Sequence, residues 1–288
     1  MSAGESPITY RGMRLADVPA AYAIFCRAEG SLVREHGFPW VDPPFEGWSR
    51  TPAHLLATDP GHCFVAEDAG SLVGFTAALE RDDLWFFAAL FISPAYQGRG
   101  IGRRLFELAA ADAPRHRVTI TDSIQPISTA LYGRYGLLPA TPVVGFAGEP
   151  TVREPPDLQP AAPTPPALEM LDRSAYGCSR APDHPYWASR GTGTLWLRNG
   201  QPVAYAYVRA DGRLGPLAGR DPESAAAALR AELARLPSVQ LVVPGSARRL
   251  VEAALGAGLR IDPPPGLLLL SEDAPAPANL VLSSYFLY

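Results

Sequence analysis

The sequence predicts an α/β protein, an α+β sandwich whose mixed central sheets are flanked by helices. Three observations carry that expectation. Leu84–Ile92 is an unbroken apolar run, as in strands buried on both faces. Pro94 ends it, and Gly98, Gly100 and Gly102 lead into a stretch where Ile101, Leu105 and Leu108 recur at helical spacing. The same succession of strand and helix patterns then returns in outline after a proline-rich stretch.

In chain order, residues 8–14 read as an edge strand. Asp17 is placed to cap a helix reaching about residue 28, with Val18, Tyr22 and Phe25 on one face. Residues 29–48 read as a proline-stiffened loop in which Phe38, Trp40, Phe45 and Trp48 are interleaved with Glu29, Glu35, His36, Asp42 and Glu46. Such aromatics can form a satellite core beneath the loop. Residues 62–67 and 72–79 form a strand pair turning at Asp68-Ala69-Gly70, which Leu84–Ile92 extends into a meander. Residues 117–122 alternate Val118 and Ile120 with Thr119 and Thr121, giving a fifth strand after the glycine-loop helix.

Seven prolines between Pro150 and Pro166 read as an extended linker. Beyond it, residues 194–198 and 203–208 form a hairpin around Asn199-Gly200. A short Gly-Pro-Leu-Ala-Gly segment leads into a helix over 222–236. A strand over 239–243, a helix over 247–258 and strands at 267–270 and 281–287 follow.

Composition narrows the function classes. The chain has 288 residues, of which 47% are hydrophobic, enough for two cores. No segment has the uninterrupted apolar length of a membrane span, and residues 1–7 lack the regions of a signal peptide, so a cytoplasmic protein is expected. A net charge of −4 gives no support to nucleic-acid binding. Cys26, Cys63 and Cys178 are too scattered for a disulfide framework or a metal site, and no metal is expected. All 25 basic residues are arginine, which GC-rich codon usage explains together with the abundant Ala, Pro and Gly.

The glycine turn is the chemical signal. Its free N–H groups and the positive end of the following helix form a site for an anion such as a pyrophosphate. A Walker loop would need a lysine, which the chain lacks, and the dinucleotide fingerprint fails because Arg103 stands where its third glycine belongs. What fits is Gln97-x-x-Gly100-x-Gly102 after a buried strand and a proline; a turn without a ligand is the alternative. A second constellation runs Gln125-Pro-Ile-Ser-Thr-Ala-Leu-Tyr-Gly-Arg-Tyr-Gly-Leu137.

The first motif resembles the acetyl-CoA loop of the Gcn5-related N-acetyltransferase (GNAT) superfamily. The second is similar to that family's Asn-x-x-Ala-x-x-Leu-Tyr-x-x-x-Gly-Phe, with Gln125, Ser128 and Leu137 substituted and Leu131, Tyr132 and Gly136 matching. The resemblance implies that Gln97, Gly98, Arg99, Gly100, Ile101 and Gly102 bind acetyl-CoA, with Gln125 and Ser128 nearby. It implies that backbone N–H groups near Leu90, Phe91 and Ile92 stabilise the oxyanion. Tyr132 falls where many members carry the general acid that protonates the leaving thiolate; packing as a core aromatic is the other reading. Ala88 and Ala89 stand where members often place a basic carboxylate. Asp122, Glu80 or a water chain remain as candidates for the base. The aromatic and acidic residues of 29–48 would wall an acceptor pocket suited to an amine.

The whole then resembles two tandem GNAT-like domains: a catalytic one over 1–148, a linker over 149–166, and a degenerate copy over 167–288. In the second copy Asp221 and Glu223 would repel a pyrophosphate from the helix N-terminus, and Ala254 aligns with Tyr132. The implied activity is direct transfer of an acetyl group from acetyl-CoA to a small-molecule primary amine in a ternary complex, by a monomer or homodimer, without nucleic-acid or membrane partners. A non-catalytic acyl-CoA sensor and a structural protein with a vestigial loop are the alternatives.

Overall fold

The computed structural model describes residues 7–152 and 156–288. The start of the stretch read for a signal peptide (1–6) and residues 153–155 of the proline-rich segment lie outside the described residues. Strand β1 (Thr9–Gly12) is followed by helices α1 (Val18–Glu35) and α2 (Phe45–Thr58), then by strands β2 (Phe64–Asp68), β3 (Ser71–Arg81) and β4 (Leu84–Ile92). Helix α3 (Ile101–Ala109), β5 (His116–Asp122), α4 (Pro126–Gly133) and β6 (Leu138–Gly148) complete the first half. The second half contains β7 (Gln159–Ala161), α5 (Pro165–Tyr176), α6 (His184–Ala188), β8 (Gly191–Arg198), β9 (Gln201–Arg209) and β10 (Leu214–Gly219). It ends with α7 (Pro222–Leu233), β11 (Val239–Pro244), α8 (Arg248–Gly256), β12 (Arg260–Leu270) and β13 (Leu280–Val281). No helix among the described residues is long and apolar enough to cross a membrane.

Several elements differ from the sequence expectation, each for a physical reason. Residues 29–35 prolong α1, and 45–48 open α2 rather than staying in a loop. Pro52 lies inside α2, removing one backbone bond without ending the helix. Asp17 does not cap α1; its carboxylate accepts from the Arg14 N–H (2.7 Å) and from Arg11 Nη1 (2.7 Å). Residues 214–219, read only as a short connection, form β10. In β12 the three prolines 263–265 fall where the ladder with β6 breaks register between Asp262 and Gly266, the irregularity that lets proline sit in a strand.

The strands form two sheets. The larger runs β1-β2-β3-β4-β5-β12-β6-β11 and the smaller β13-β10-β9-β8-β7. Thus β12, from the second half, pairs with both β5 and β6 of the first. In return β6 lies between β12 and β11 of the second. The halves exchange strands reciprocally within one sheet.

A shared core follows. One apolar cluster includes Phe25, Phe75 and Phe86 from the first half together with Leu171, Trp187 and Tyr205 from the second. A buried ionic knot crosses the same seam. Arg81 donates to Asp59 Oδ1 (2.9 Å) and to Asp183 Oδ1 (2.7 Å), and Asp183 also accepts from Arg180 Nε (2.7 Å). Burial alone would raise the Asp183 carboxyl, but Arg180, His54 and Arg81 outweigh it and hold the group well below the usual carboxylate range.

Cutting the chain after Pro150 would leave β5 an open edge and strip β6 of both neighbours. Residues 1–150 expressed alone are expected to aggregate, whereas co-expression with 151–288 should yield a soluble one-to-one complex on size exclusion. A soluble, monomeric 1–150 fragment would show that the exchange is dispensable.

Candidate active site

The first feature of the site is a gap in the large sheet. Parallel pairing of β4 with β5 runs from Leu84↔His116 only as far as Phe87↔Thr119. Thr119 Oγ1 pins that last pair by donating to Phe87 O (2.8 Å). Just beyond, the β3–β4 register passes from Ala78↔Phe87 to Ala77↔Ala89, so Ala88 is the extra residue of a β-bulge. The bulge turns the rest of β4 away from β5. Ser93 N donates to Val73 O (2.8 Å), toward β3. Because backbone amides alternate sides along a strand, the N–H of Phe91 also faces β3, and those of Leu90 and Ile92 face the gap.

The glycine turn stands at the open end of this gap. Gly98 (φ +77°) and Gly100 (φ +81°) are both left-handed, a conformation that glycine adopts without strain. A Cβ at either would meet no protein atom within 4 Å, so the space over the turn is open. Gly100 immediately precedes α3, whose first amides lack partners within the helix. At Gly102 a Cβ would rest 3.7 Å from side-chain atoms of both Ile92 and Leu90, which puts the helix start beside the end of β4. Gln97 Nε2 donates to Ile92 O (3.1 Å), and Arg99 lies over the Tyr96 ring at 4.9 Å. Gln97 thus holds the turn against the strand, and Arg99 packs within the turn.

Tyr132, on α4, borders the gap from below. Its ring packs against Phe87 (5.5 Å) and Phe106 (5.8 Å), and only 5% of the residue is exposed. Burial raises its phenol well above the ordinary value, against a smaller opposing hydrogen bond with Ser128, and the Asp122 charge raises it further. The hydroxyl therefore stays protonated at any working pH. Core packing and a proton-bearing hydroxyl coexist in this one residue. Gln125 sits at the N-terminal end of α4, its N–H donating to Asp122 O (3.0 Å).

Asp122 does not end β5 as a solvated carboxylate. It is half-buried and shares a hydrogen bond with Glu29 of α1. Burial, and then the Asp122 charge, push the Glu29 carboxyl up to about 8. Burial also raises Asp122, although the hydrogen bond from Glu29 partly relieves it. With Glu29 raised to about 8, the pair carries a shared proton at neutral pH. The sequence names Asp122 as a candidate base and Glu29 only among the acidic residues of the acceptor wall; 93 positions separate them, and no local pattern marks the pair. Glu80 is not brought here. It lies opposite Trp85 at the far end of β3, with His62 Nε2 3.3 Å from its carboxylate.

The corresponding place in the second half is closed. Asp221 caps α7, its Oδ1 accepting from Ser224 N (2.7 Å), and a Cβ at Gly219 would lie 2.5 Å from Ala225 N. Between β10 and β11 the chain inserts β13, which pairs with β10, while Leu282 bridges to Val242. No cluster of three or more His, Cys, Asp or Glu among the described residues is placed to hold a metal.

The shifted Glu29 carboxyl has a consequence for stability. Its folded pKa of about 8 lies above the unfolded value of roughly 4.3. Stability from the protonated group is thus full below about pH 4.3 and is lost as pH rises through the folded value. Glu29→Gln cannot ionise and keeps a donor for Asp122. Its melting temperature should match the native protein near pH 4.5 and exceed it by about 2 °C or more at pH 9; an advantage independent of pH would show that Glu29 is not raised.

Residues 28–137 match the family model described as the Acetyltransferase (GNAT) family. No curated protein matches the chain in sequence. Among solved structures, a Pyrococcus horikoshii protein assigned as an acetyltransferase superposes with a TM-score of 0.77 at 18% identity, over 98% of this chain and 96% of its own. A GCN5-related N-acetyltransferase from Sphaerobacter thermophilus gives a TM-score of 0.61 at 17% identity, over 95% and 98%. Another from Anabaena variabilis gives 0.59 at 14% identity, over 92% and 72%. At such identities the likeness speaks for the fold: residues 28–137 carry the match to the GNAT family model, within a fold that GNAT structures share over nearly the whole chain.

Proposed function

We propose that the protein transfers an acetyl group from acetyl-CoA to the primary amine of a small molecule, by direct attack in a ternary complex. The observation that supports this most is the meeting of the β4–β5 gap with the open glycine turn at the start of α3. The amides of the 98–102 turn and the helix dipole bind the pyrophosphate. The N–H groups of Leu90 and Ile92 hold the thioester arm in the gap and stabilise its carbonyl oxygen as negative charge develops. The closed turn and inserted β13 of the second half favour one donor site per chain, within the 1–148 unit.

Proton traffic falls to three side chains. An amine arrives as an ammonium and must lose a proton before attack; the ionised carboxylate of the Asp122–Glu29 pair accepts it, while the other carboxyl keeps the shared hydrogen bond. The C–N bond forms, the C–S bond breaks, and the second proton shed by the attacking nitrogen ends on the sulfur, so that CoA leaves as its thiol. Tyr132 donates a hydrogen bond to the departing thiolate. Its raised phenol is a reluctant acid, so stabilising the sulfur charge counts for more than full proton transfer. The base missing at Ala88 and Ala89 is supplied from β5 and α1 instead. An amine-library screen reading free thiol release from acetyl-CoA tests the reading as a whole, and silence across the panel with intact CoA binding would return the sensor.

Gly100→Val forces a branched side chain into a left-handed position and into the ligand's space. Calorimetry should show one CoA per chain in the native protein and at least tenfold weaker binding in the variant. Unchanged affinity, or two sites, would overturn the donor assignment.

Asp122→Asn should lower kcat about 100-fold or more with little change in CoA affinity. Tyr132→Phe should lose about tenfold, less for acyl donors with a more acidic thiol. Equal losses for every leaving group would reduce Tyr132 to packing.

A further inference from the structure

We propose that the acceptor is an amine that also carries a carboxylate, received by the guanidinium groups of Arg190, Arg209 and Arg213 in a cavity between the two halves. The inference rests on the acetyltransferase reading and adds the acceptor's class to it. The cavity measures about 490 Å³. Ala89, the residue after the β4 bulge, lines it, so the cavity reaches the strand that borders the gap. Its apolar wall comes from both halves, with Phe25, Trp48 and Phe75 facing Trp187 and Phe286.

The charged residues lining this cavity are three arginines and one aspartate, Asp211. Asp211 is exposed and already paired with Arg209. Arg190 is half-buried, stacks over the Tyr186 ring at 5.3 Å, donates to the Tyr186 hydroxyl and reaches the main-chain oxygen of Gly47 (3.5 Å). That oxygen belongs to α2, so Arg190 ties α2 to the second half. Arg213 is half-buried and, among the described residues, its guanidinium has no carboxylate in ion-pair contact and no hydrogen-bond acceptor. The 209–213 hairpin turn, closed by Arg209 N donating to Arg213 O (2.9 Å), brings two of the three arginines together.

A concentration of like charge in a partly dry cavity is unfavourable unless a ligand completes it. Burial, then Arg209, push the Arg213 guanidinium below its ordinary value, with Arg190 adding to the effect and Asp211 and Tyr285 opposing it. The planar fork of arginine matches a carboxylate, and the aromatic wall matches an apolar body attached to it. Tyr285 lies toward the carboxyl pair, since a Cβ at Gly266, the ladder partner of Asp122, would rest 3.0 Å from its hydroxyl. The amine would face the carboxyl pair while the carboxylate faces the arginines.

The test uses the full chain and amines in matched pairs: phenylalanine, glycyl-phenylalanine and 6-aminohexanoate, each beside its neutral amide. For at least one spacing, kcat/KM should favour the carboxylate tenfold or more, and Arg213→Met should bring that ratio close to one. Neutral amides equal or better at every spacing would overturn the inference. Binding is read separately with 3-phenylpropionate, which has the carboxylate and the ring but no amine. Calorimetry should show it binding the native protein at least tenfold more tightly than Arg213→Met. Without ligand, Arg213→Met should melt at or above the native temperature, because an uncompensated charge has been removed. A lower melting temperature would mean the guanidinium is satisfied by the protein and would count against the site. Binding of 3-phenylpropionate with no amine acetylated would keep the anion site and overturn the acetyltransferase reading. Acetylation with no preference for carboxylates would overturn this inference alone.

Discussion

Because β12 lies between β5 and β6, neither half of the chain has a complete sheet of its own. Backbone groups in a sheet interior must be paired, so the ladder on the far side of β5 exists only when the second half is folded against the first. That pairing holds the C-terminal end of β5, and with it Asp122, which is matched to Gly266 of β12. On its near side β5 releases β4 after Phe87↔Thr119. The gap therefore has one wall bent outward by the bulge at Ala88 and one wall clamped by the partner half. The ionic knot of Asp59, Arg81, Asp183 and Arg180 lies across the same seam. Its worth is as much in register as in stability, since removing any member leaves a buried charge unpaired.

The two halves share an order of elements but not a chemistry. In the first, glycines at left-handed positions leave the start of α3 open. In the second, the cap on α7 is supplied by Asp221 and the gap between strands is filled by β13. Both closures use the chain's own groups to satisfy what a ligand would otherwise satisfy. The second half instead lends walls: Phe286 packs against Phe25 (5.7 Å) and Phe91 (6.1 Å) of the first.

Acid–base chemistry is shaped by burial more than by identity. Tyr132 and Glu29 are ordinary groups whose surroundings raise them, and the hydrogen bond from Glu29 offsets part of what burial does to Asp122. One proton shared by two carboxyls gives a base that is charged at neutral pH yet sits in a half-buried site, where a lone carboxylate would be harder to keep ionised.

Much of this was legible in the sequence, and the limit is physical. Leu84–Ile92 is a strand and Ile101 opens a helix because apolar periodicity and glycine and proline act over a few residues. The Asn199-Gly200 turn and the acidic start of α7 are local in the same sense. Local patterns misled where prolines stood in strands and helices whose neighbours tolerate them, as in α2 and β12. The resemblance carried by 97–102 and 125–137 pointed to Tyr132 and to the turn. Only the tertiary structure could join Glu29 to Asp122, exclude Glu80, or gather Arg190, Arg209 and Arg213 at one cavity. Those groups lie on different elements, and it is long-range strand pairing and burial that decide which side chains meet and how each carboxyl is shifted.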